Sequence, residues 1–245
     1  MLNLVTDRVA LCYIFYKLKF IIMKMYYFTD PMCSWCYGFS PAIKKLKEEY
    51  PNIDLEIISG GFSPYSTQVV DDEYKDFLLY HWKNVNARSG QYFNHSMKFI
   101  SETFRYDSEP SSRALMVIKE ISPKQDFEFL SLMQKAFYVD GNDITNDIVL
   151  AGLAEEIGID KSDFLKLLRS DEMKLKTNQG FQFSRQLGVQ GFPTLLTIEN
   201  GAVKVITRGF LDLSSLKEVV DNWLNSLSVP QPGVGQSCSG DTCEC

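Results

Sequence analysis

The sequence predicts an α/β protein in which an all-helical insertion lies between the second and third strands of a small sheet. Three observations predict this fold class. A short apolar strand pattern leads into a C-x-x-C pair and a helix, and helical patterns then continue from Asp71 to about Leu187. Strand patterns return only after that block, as a hairpin followed by a last helix. The 245 residues suffice for a core domain that carries an insertion.

The first strand, helix and second strand follow from local patterns. Met25–Phe28 is typical of a short buried strand, and Asp30–Pro31 ends it. The next apolar residues recur at helical spacing, so Cys33 is predicted to stand at the start of a helix that contains Pro41. Leu55–Ile58 is the second predicted strand.

The insertion is predicted from five stretches with helical periodicity between residues 71 and 187. Asp71 provides a helix-start signal for the first of them. After this block, Asn200–Gly201 is a strong hairpin signal between the strand patterns Thr194–Ile198 and Val203–Ile206. The last helix carries one apolar stripe, formed by Leu213, Leu216, Val219, Val220, Trp223, Leu224 and Leu227.

These patterns divide the chain into four parts. Residues 24–63 and 186–227 form the predicted sheet domain, and residues 64–185 form the predicted helical domain. Residues 1–23 lack the length of apolar sequence that a membrane span needs and the features of a secretion signal, so we expect a loose leader or a non-native extension. Residues 228–245 are rich in Gly, Pro and Ser and are predicted to form a flexible tail that contains cysteines.

Composition restricts the class of function. The net charge of −6 and the pI of about 5.1, with no Lys/Arg cluster, argue against nucleic-acid partners and against anionic membranes. Six cysteines are too few for a scaffold built on disulfides. Without a recognisable signal we expect a cytoplasmic protein, in which a C-x-x-C pair is more often catalytic than structural.

The C-x-x-C pair, Cys33 and Cys36, has a chemistry that its position predicts. The unpaired N–H groups and the dipole of a helix N-terminus favour a thiolate. Cys33 is therefore the predicted nucleophile, and Cys36, one turn further in, the predicted resolving thiol. Two alternatives remain open: a pair of buried core cysteines, or zinc. We expect no metal, because a structural zinc site needs four ligands and a second pair is missing.

A second motif, "GVQGFPTLL" from Gly188 to Leu196, precedes the third strand. Pro193 is either an ordinary turn proline or the residue after a cis peptide bond that presents the backbone of Phe192 beside the two thiols. In the second case an extended substrate could pair with Phe192 as an added strand. Trp35, inside the C-x-x-C pair, is a further candidate for substrate contact.

Together these motifs resemble the DsbA family of thioredoxin-like proteins, and most closely its FrnE-like branch. The resemblance rests on "CSWCYG" after a strand, Pro41, "GFPT" before the hairpin and the insertion between the second and third strands. Further matches are "GGFSP", "YDSEPSSRA" and "KAFYVDGNDI". The resemblance implies a thioredoxin-like fold, a cis peptide bond at Pro193 and a thiol–disulfide oxidoreductase or isomerase that acts on protein or small-molecule disulfides.

The resemblance also implies what such an enzyme would use. No organic cofactor is expected beyond the Cys33–Cys36 disulfide itself, and thioredoxin or glutathione would be the reductant. Cys238 and Cys243 in the tail resemble the additional C-x4-C pair of some FrnE-like proteins. They are candidates for an accessory redox pair; soft-metal capture and simple surface oxidation are the alternatives.

Two other functions compete with the oxidoreductase. Glutathione-dependent isomerases of the 2-hydroxychromene-2-carboxylate type and kappa-class transferases share the insertion but carry serine where this chain has Cys33. The presence of both cysteines therefore favours redox exchange. The third hypothesis is a non-catalytic, DsbA-like adaptor that binds a partner protein through its helical block.

Overall fold

The computed structural model describes residues 23–97, 100–101 and 103–228. In these ranges four strands form one mixed sheet, and the cores of all four were predicted from the sequence. They are β1 (Met23–Thr29), β2 (Ile53–Ser59), β3 (Thr194–Glu199) and β4 (Ala202–Arg208). The order is β2-β1-β3-β4; β1 runs parallel to β2, and β3 runs antiparallel to both β1 and β4. Asn200 and Gly201 both have positive φ in the turn between β3 and β4, as a tight hairpin requires.

Six α-helices among the described residues between β2 and β3 confirm the predicted helical insertion. Five match the predicted stretches, and the sixth, Asp171–Gln186, was not among them. Asp71 caps the first of the six by accepting a hydrogen bond from the Tyr74 N–H, and Pro41 lies inside α1, both as predicted. The helices are α1 (Ser34–Glu49), α2 (Asp72–Ser89), α3 (Glu109–Ile121), α4 (Asp126–Lys135), α5 (Asp147–Glu156), α6 (Lys161–Leu168), α7 (Asp171–Gln186) and α8 (Leu213–Ser228).

The sheet is covered on both faces, because alternate residues of a strand point to opposite sides. On one face Tyr27 packs in a large core with the apolar residues of α1 and α8. On the other face Phe28 packs in a smaller cluster that includes Phe183 of α7. Covering both faces explains why β1 carries a nearly continuous run of apolar residues.

The helical insertion shares the larger core with the sheet. Trp82 of α2 and Phe137, just after α4, are fully buried in the same cluster as Tyr27 and Phe39. This shared core joins the two parts that the sequence separates at residues 63 and 186. Those domain boundaries remain a prediction.

The strand register brings three separate segments to one end of the sheet. In the parallel pair, Thr29 lies opposite Ser59, so Gly60 follows directly beside the loop that leads to Cys33. In the antiparallel pair, Phe28 lies opposite Thr194, so Pro193 precedes β3 at the same end. The two sequence motifs are therefore neighbours in space.

Candidate redox site

Cys33 stands at the start of α1, as predicted. It is the N-cap residue, its backbone is extended, and its carbonyl accepts the hydrogen bond of the Tyr37 N–H. Its Sγ lies 3.7 Å from the carbonyl oxygen of Phe192, toward which the thiol donates. Only 3% of Cys33 is exposed, so little of the residue is in contact with solvent.

Cys36 lies one turn inside α1 and is completely buried. Both cysteines are free thiols. Burial raises the pKa of the Cys36 thiol well above its usual range, and the adjacent Cys33 sulfur raises it further. Burial thus favours the protonated form of Cys36, and its role as the resolving thiol remains a prediction.

The loop before β3 contains the predicted cis bond, between Phe192 and Pro193. The Pro193 carbonyl accepts a hydrogen bond from the Gly209 N–H at 2.7 Å, and the Thr194 hydroxyl donates to the Gly191 carbonyl at 2.8 Å. These bonds fix the loop that faces the Cys33 sulfur.

Gly60 makes room for this loop. A Cβ atom at residue 60 would lie 1.9 Å from Cε1 of Phe192, a distance that real carbon atoms do not approach. Only glycine permits the Phe192 ring to pack directly on the backbone at this position. The Gly60 N–H also donates to the Thr29 carbonyl at 2.8 Å, which continues the pairing of β1 and β2 beyond Ser59.

Asp30 is a buried carboxylate that ties the site together, and the sequence indicated only part of this role. Its Oδ1 accepts the Met32 N–H at 2.9 Å and so shapes the turn before Cys33. Its Oδ2 accepts the Phe62 N–H at 2.8 Å, which fastens the segment after β2 to the same turn. Burial raises the pKa of Asp30 to about 6, although the hydrogen bonds from Phe62 and Met32 oppose that shift.

The insertion also holds the redox loop. Tyr106 is 2% exposed, and its hydroxyl donates to the Met32 carbonyl at 2.6 Å. Sequence reasoning favoured a core position for Tyr106 over one facing Cys33, because nothing in the local pattern shows which backbone group its hydroxyl meets. The only available signal was its place in the family-like stretch "YDSEPSSRA".

Trp35 lies at the edge of the site and is half-buried. Its ring packs at 5.7 Å from that of Phe210, and the Arg88 guanidinium lies 5.7 Å from the Trp35 ring centre. The structure thus places Trp35, Phe192 and Pro193 around the two thiols; their role in substrate binding remains a prediction.

Other predicted features concern metals, membranes and the chain ends. Among the described residues, no three His, Cys, Asp or Glu side chains are grouped as metal ligands would be. No helix in the described ranges combines the length and the apolar character that crossing a bilayer requires. Residues 1–22 and the tail with Cys238 and Cys243 lie outside the described residues.

Comparisons with known proteins agree with this site. A family model described as Thioredoxin matches residues 26–205. A candidate protein disulfide isomerase from Nitrosomonas europaea is 34% identical, with a TM-score of 0.75 over 83% of this chain and 98% of that one. The cytosolic disulfide reductase DsbM of Pseudomonas aeruginosa, 22% identical, shares the fold, with a TM-score of 0.69 over 83% of this chain and 100% of that one.

A curated relative has a different description. The ClpXP adapter protein SpxH of Bacillus subtilis is 27% identical over 174 residues, which are 71% of this chain. The chain spans only 57% of that relative's length. Taken with the fold and the C-x-x-C site, the comparisons show that the chain belongs to the thioredoxin family and is a DsbA-like thioredoxin-fold protein.

Proposed function

We propose that this protein is a thiol–disulfide oxidoreductase in which Cys33 is the nucleophile and Cys36 the resolving thiol. The observation that carries the proposal is the pairing of a helix-start sulfur with a fully buried thiol one turn away, under the loop of Phe192 and Pro193. The proposed partners are proteins of cytoplasmic redox systems, and the dithiol is the proposed resting form.

The reaction proceeds in two exchanges. The Cys33 thiolate attacks one sulfur of a substrate disulfide and forms a mixed disulfide, while the other substrate sulfur leaves as a thiolate and takes up a proton. Cys36 then loses its proton and attacks the Cys33 sulfur, which releases the second substrate thiol. The substrate gains two electrons, the Cys33–Cys36 disulfide forms, and an external thiol such as glutathione or a thioredoxin returns it to the dithiol.

The test is the reduction of insulin disulfides by three variants. Cys33→Ser should reduce the rate to background, because a serine hydroxyl cannot form the mixed disulfide. Cys36→Ser should accumulate that mixed disulfide, detectable by mass spectrometry of the intact protein. Cys12→Ser, the same substitution at a cysteine without an assigned role, should leave the rate unchanged; full activity of Cys33→Ser would refute the proposal.

Two finer questions can be resolved with the same protein. A glutathione-dependent isomerase or transferase would retain turnover in Cys36→Ser and would bind glutathione saturably near Phe192. An accessory redox role for Cys238 and Cys243 predicts that the reduction potential of the Cys33–Cys36 pair, or its rate of re-reduction, changes when residues 238–245 are removed.

An adaptor role is the second candidate, favoured by the description of the SpxH relatives and by an exposed aromatic surface. This surface consists of Phe62, Tyr65, Phe77 and Tyr80, each at least half exposed. Single exposed apolar residues are common, but a group of aromatic side chains is typical of protein interfaces. Phe62 contacts the ring of Tyr106, so the aromatic surface begins next to the redox loop.

Binding to purified ClpX, measured by biolayer interferometry, tests the adaptor role. The role predicts that Cys33→Ser/Cys36→Ser binds ClpX as the parent does, because the thiols take no part. Phe77→Ser/Tyr80→Ser should lose binding, whereas Ile148→Ser/Leu175→Ser, which removes equally exposed apolar residues elsewhere, should retain it. Absence of binding by the parent protein would exclude a ClpX adapter.

A further inference from the structure

A cavity of about 520 Å³ lies between α1 and α4, separate from the redox site. Its walls are apolar and include Ile43 of α1 and Phe127 and Leu130 of α4, and Tyr27 of the sheet also lines it. Cavities of roughly 300–1,000 Å³ with apolar walls and a few polar groups are typical of small-molecule sites. The size and lining therefore suit a small organic ligand.

Gln134 gives this cavity an unusual polar group. Its side chain lines the cavity and is 1% exposed, yet neither its Oε1 nor its Nε2 has a hydrogen-bond partner among the described residues. Gln125, the residue immediately before α4, shows the ordinary arrangement: its amide donates to the Ile157 carbonyl and accepts from the Ser122 hydroxyl. Buried polar groups without partners are rare and costly, so Gln134 calls for a partner from outside the chain.

Basic side chains surround the entrance. Four exposed lysines line the cavity against a single acidic residue, Glu128, in a chain whose net charge is −6. Lys135 is paired with Asp140 at 2.6 Å, and Lys47 lies over the Phe127 ring at 4.0 Å. We therefore assign to Lys44 and Lys124 the positive charge that a ligand would meet at the entrance. A local excess of positive charge attracts anions even when the whole protein is acidic.

We propose that this cavity binds a small organic anion that has an apolar body and a neutral hydrogen-bonding group at its far end. The anionic group lies at Lys44 and Lys124, the body contacts the apolar walls, and the neutral group completes the hydrogen bonds of the Gln134 amide. The proposal is independent of the redox chemistry, since no step of it involves Cys33 or Cys36.

The ligand test uses three related probes and calorimetric titration of the full-length reduced protein. The probe 3-(4-hydroxyphenyl)propionate carries all three features, 3-phenylpropionate lacks the hydroxyl, and 3-(4-hydroxyphenyl)propan-1-ol lacks the charge. We expect the first to bind about 3- to 10-fold more tightly than either of the others, the effect of one hydrogen bond or of weak exposed ion pairs. No saturable binding, or equal affinities for all three, would overturn the proposal.

Substitutions of residues that line the cavity test whether the probes bind there. Lys44→Gln/Lys124→Gln should weaken the hydroxylated anion at least threefold without changing the affinity of the alcohol. The matched variant Lys83→Gln/Lys166→Gln, which removes two lysines that do not line the cavity, should bind as the parent does. In Gln134→Leu the preference for the hydroxylated propionate should fall, whereas Tyr27→Phe, which removes the other buried group of the cavity without a partner among the described residues, should leave it unchanged. An undiminished preference in Gln134→Leu contradicts the assignment of Gln134.

Thermal unfolding of the ligand-free protein gives an independent readout. Leucine is close to glutamine in size, so Gln134→Leu replaces an unpartnered buried amide with an apolar group and should raise Tm by about 2–4 °C. Gln125→Leu should lower Tm, because its amide is bonded at both ends. If Gln134→Leu lowers Tm as Gln125→Leu does, the Gln134 amide has an internal partner and the proposal falls.

Discussion

The N-terminal end of α1 and the cavity beside its middle both contain buried polar side chains. Asp30 and Tyr106 at the first are hydrogen-bonded, whereas Gln134 in the second has no partner among the described residues. At the redox end, both oxygens of Asp30 accept backbone N–H groups and the Tyr106 hydroxyl donates to the Met32 carbonyl.

This difference fits the two roles proposed for these places. Sulfur exchange needs atoms held at fixed positions before the substrate arrives, and satisfied hydrogen bonds provide that rigidity. A binding cavity can leave its polar group unpaired because the ligand completes it, and the cost appears as lower stability of the free protein. Substitutions that loosen the redox end test this difference.

The largest expected effect is the pH dependence that Asp30 contributes. Its pKa of about 6 lies above the ordinary 3.8, so the folded state holds a proton that the unfolded state has already lost between these values. Stability from this group is therefore present at pH 4 and declines as pH rises through 6. Relative to Asp30→Asn, the wild-type free energy of unfolding should fall by about 2–2.5 kcal/mol between pH 4 and pH 7.

Urea unfolding at several pH values measures this difference. Asp212→Asn is the control, because the Ser215 N–H lowers the pKa of Asp212 and its difference curve should have the opposite sign. If the difference in unfolding free energy between the wild type and Asp30→Asn does not change with pH, the Asp30 carboxylate is solvated, and the contrast with the cavity is lost.

The second prediction concerns the packing of Gly60. Gly60→Ala should push the Phe192 ring away and lower the free energy of unfolding by about 1–3 kcal/mol, with slower disulfide exchange because the loop facing Cys33 moves. Gly191→Ala is the matched control in the same loop. A Cβ there would have no neighbour within 4 Å, so stability should hardly change. Equal effects of the two variants would contradict the proposed packing.

The third prediction is smaller and concerns Tyr106. Tyr106→Phe removes its hydrogen bond to the Met32 carbonyl and should cost about 1 kcal/mol of unfolding free energy. Exchange should slow as well, because the turn before Cys33 loses a support. Tyr37→Phe, which removes a hydroxyl bonded to the Tyr92 carbonyl outside this turn, should slow exchange less. Stopped-flow rates with a small disulfide compare the two variants.

The smallest effect is expected at Arg88. Arg88→Gln removes the cation beside the Trp35 and Phe210 rings and should cost about 0.5 kcal/mol of unfolding free energy. Arg88→Lys keeps the positive charge and should recover part of the loss. If both variants unfold like the wild type, Arg88 does not stabilise the position of Trp35.

Local patterns predicted the elements but not the contacts between them. The strand and helix around Cys33, the hairpin at Asn200 and the cap at Asp71 were predictable because each depends on residues close in sequence. The hydrogen bond that Asp30 accepts from the Phe62 N–H was not predictable, because it joins segments that meet only through the register of β1 and β2. Tyr106 belongs to the same class, because its partner is 74 residues away.

Periodicity and capping are local properties, so the amino-acid sequence was enough to predict the order of strands and helices along the chain, the start of a helix at Cys33 and the insertion between the second and third strands. The folded structure was needed to show that Gly60, Phe192 and Tyr106 meet at the redox loop, and that the buried Gln134 amide has no partner among the described residues. Burial and hydrogen bonding depend on chain segments far apart in sequence, and no local pattern records which of them come into contact.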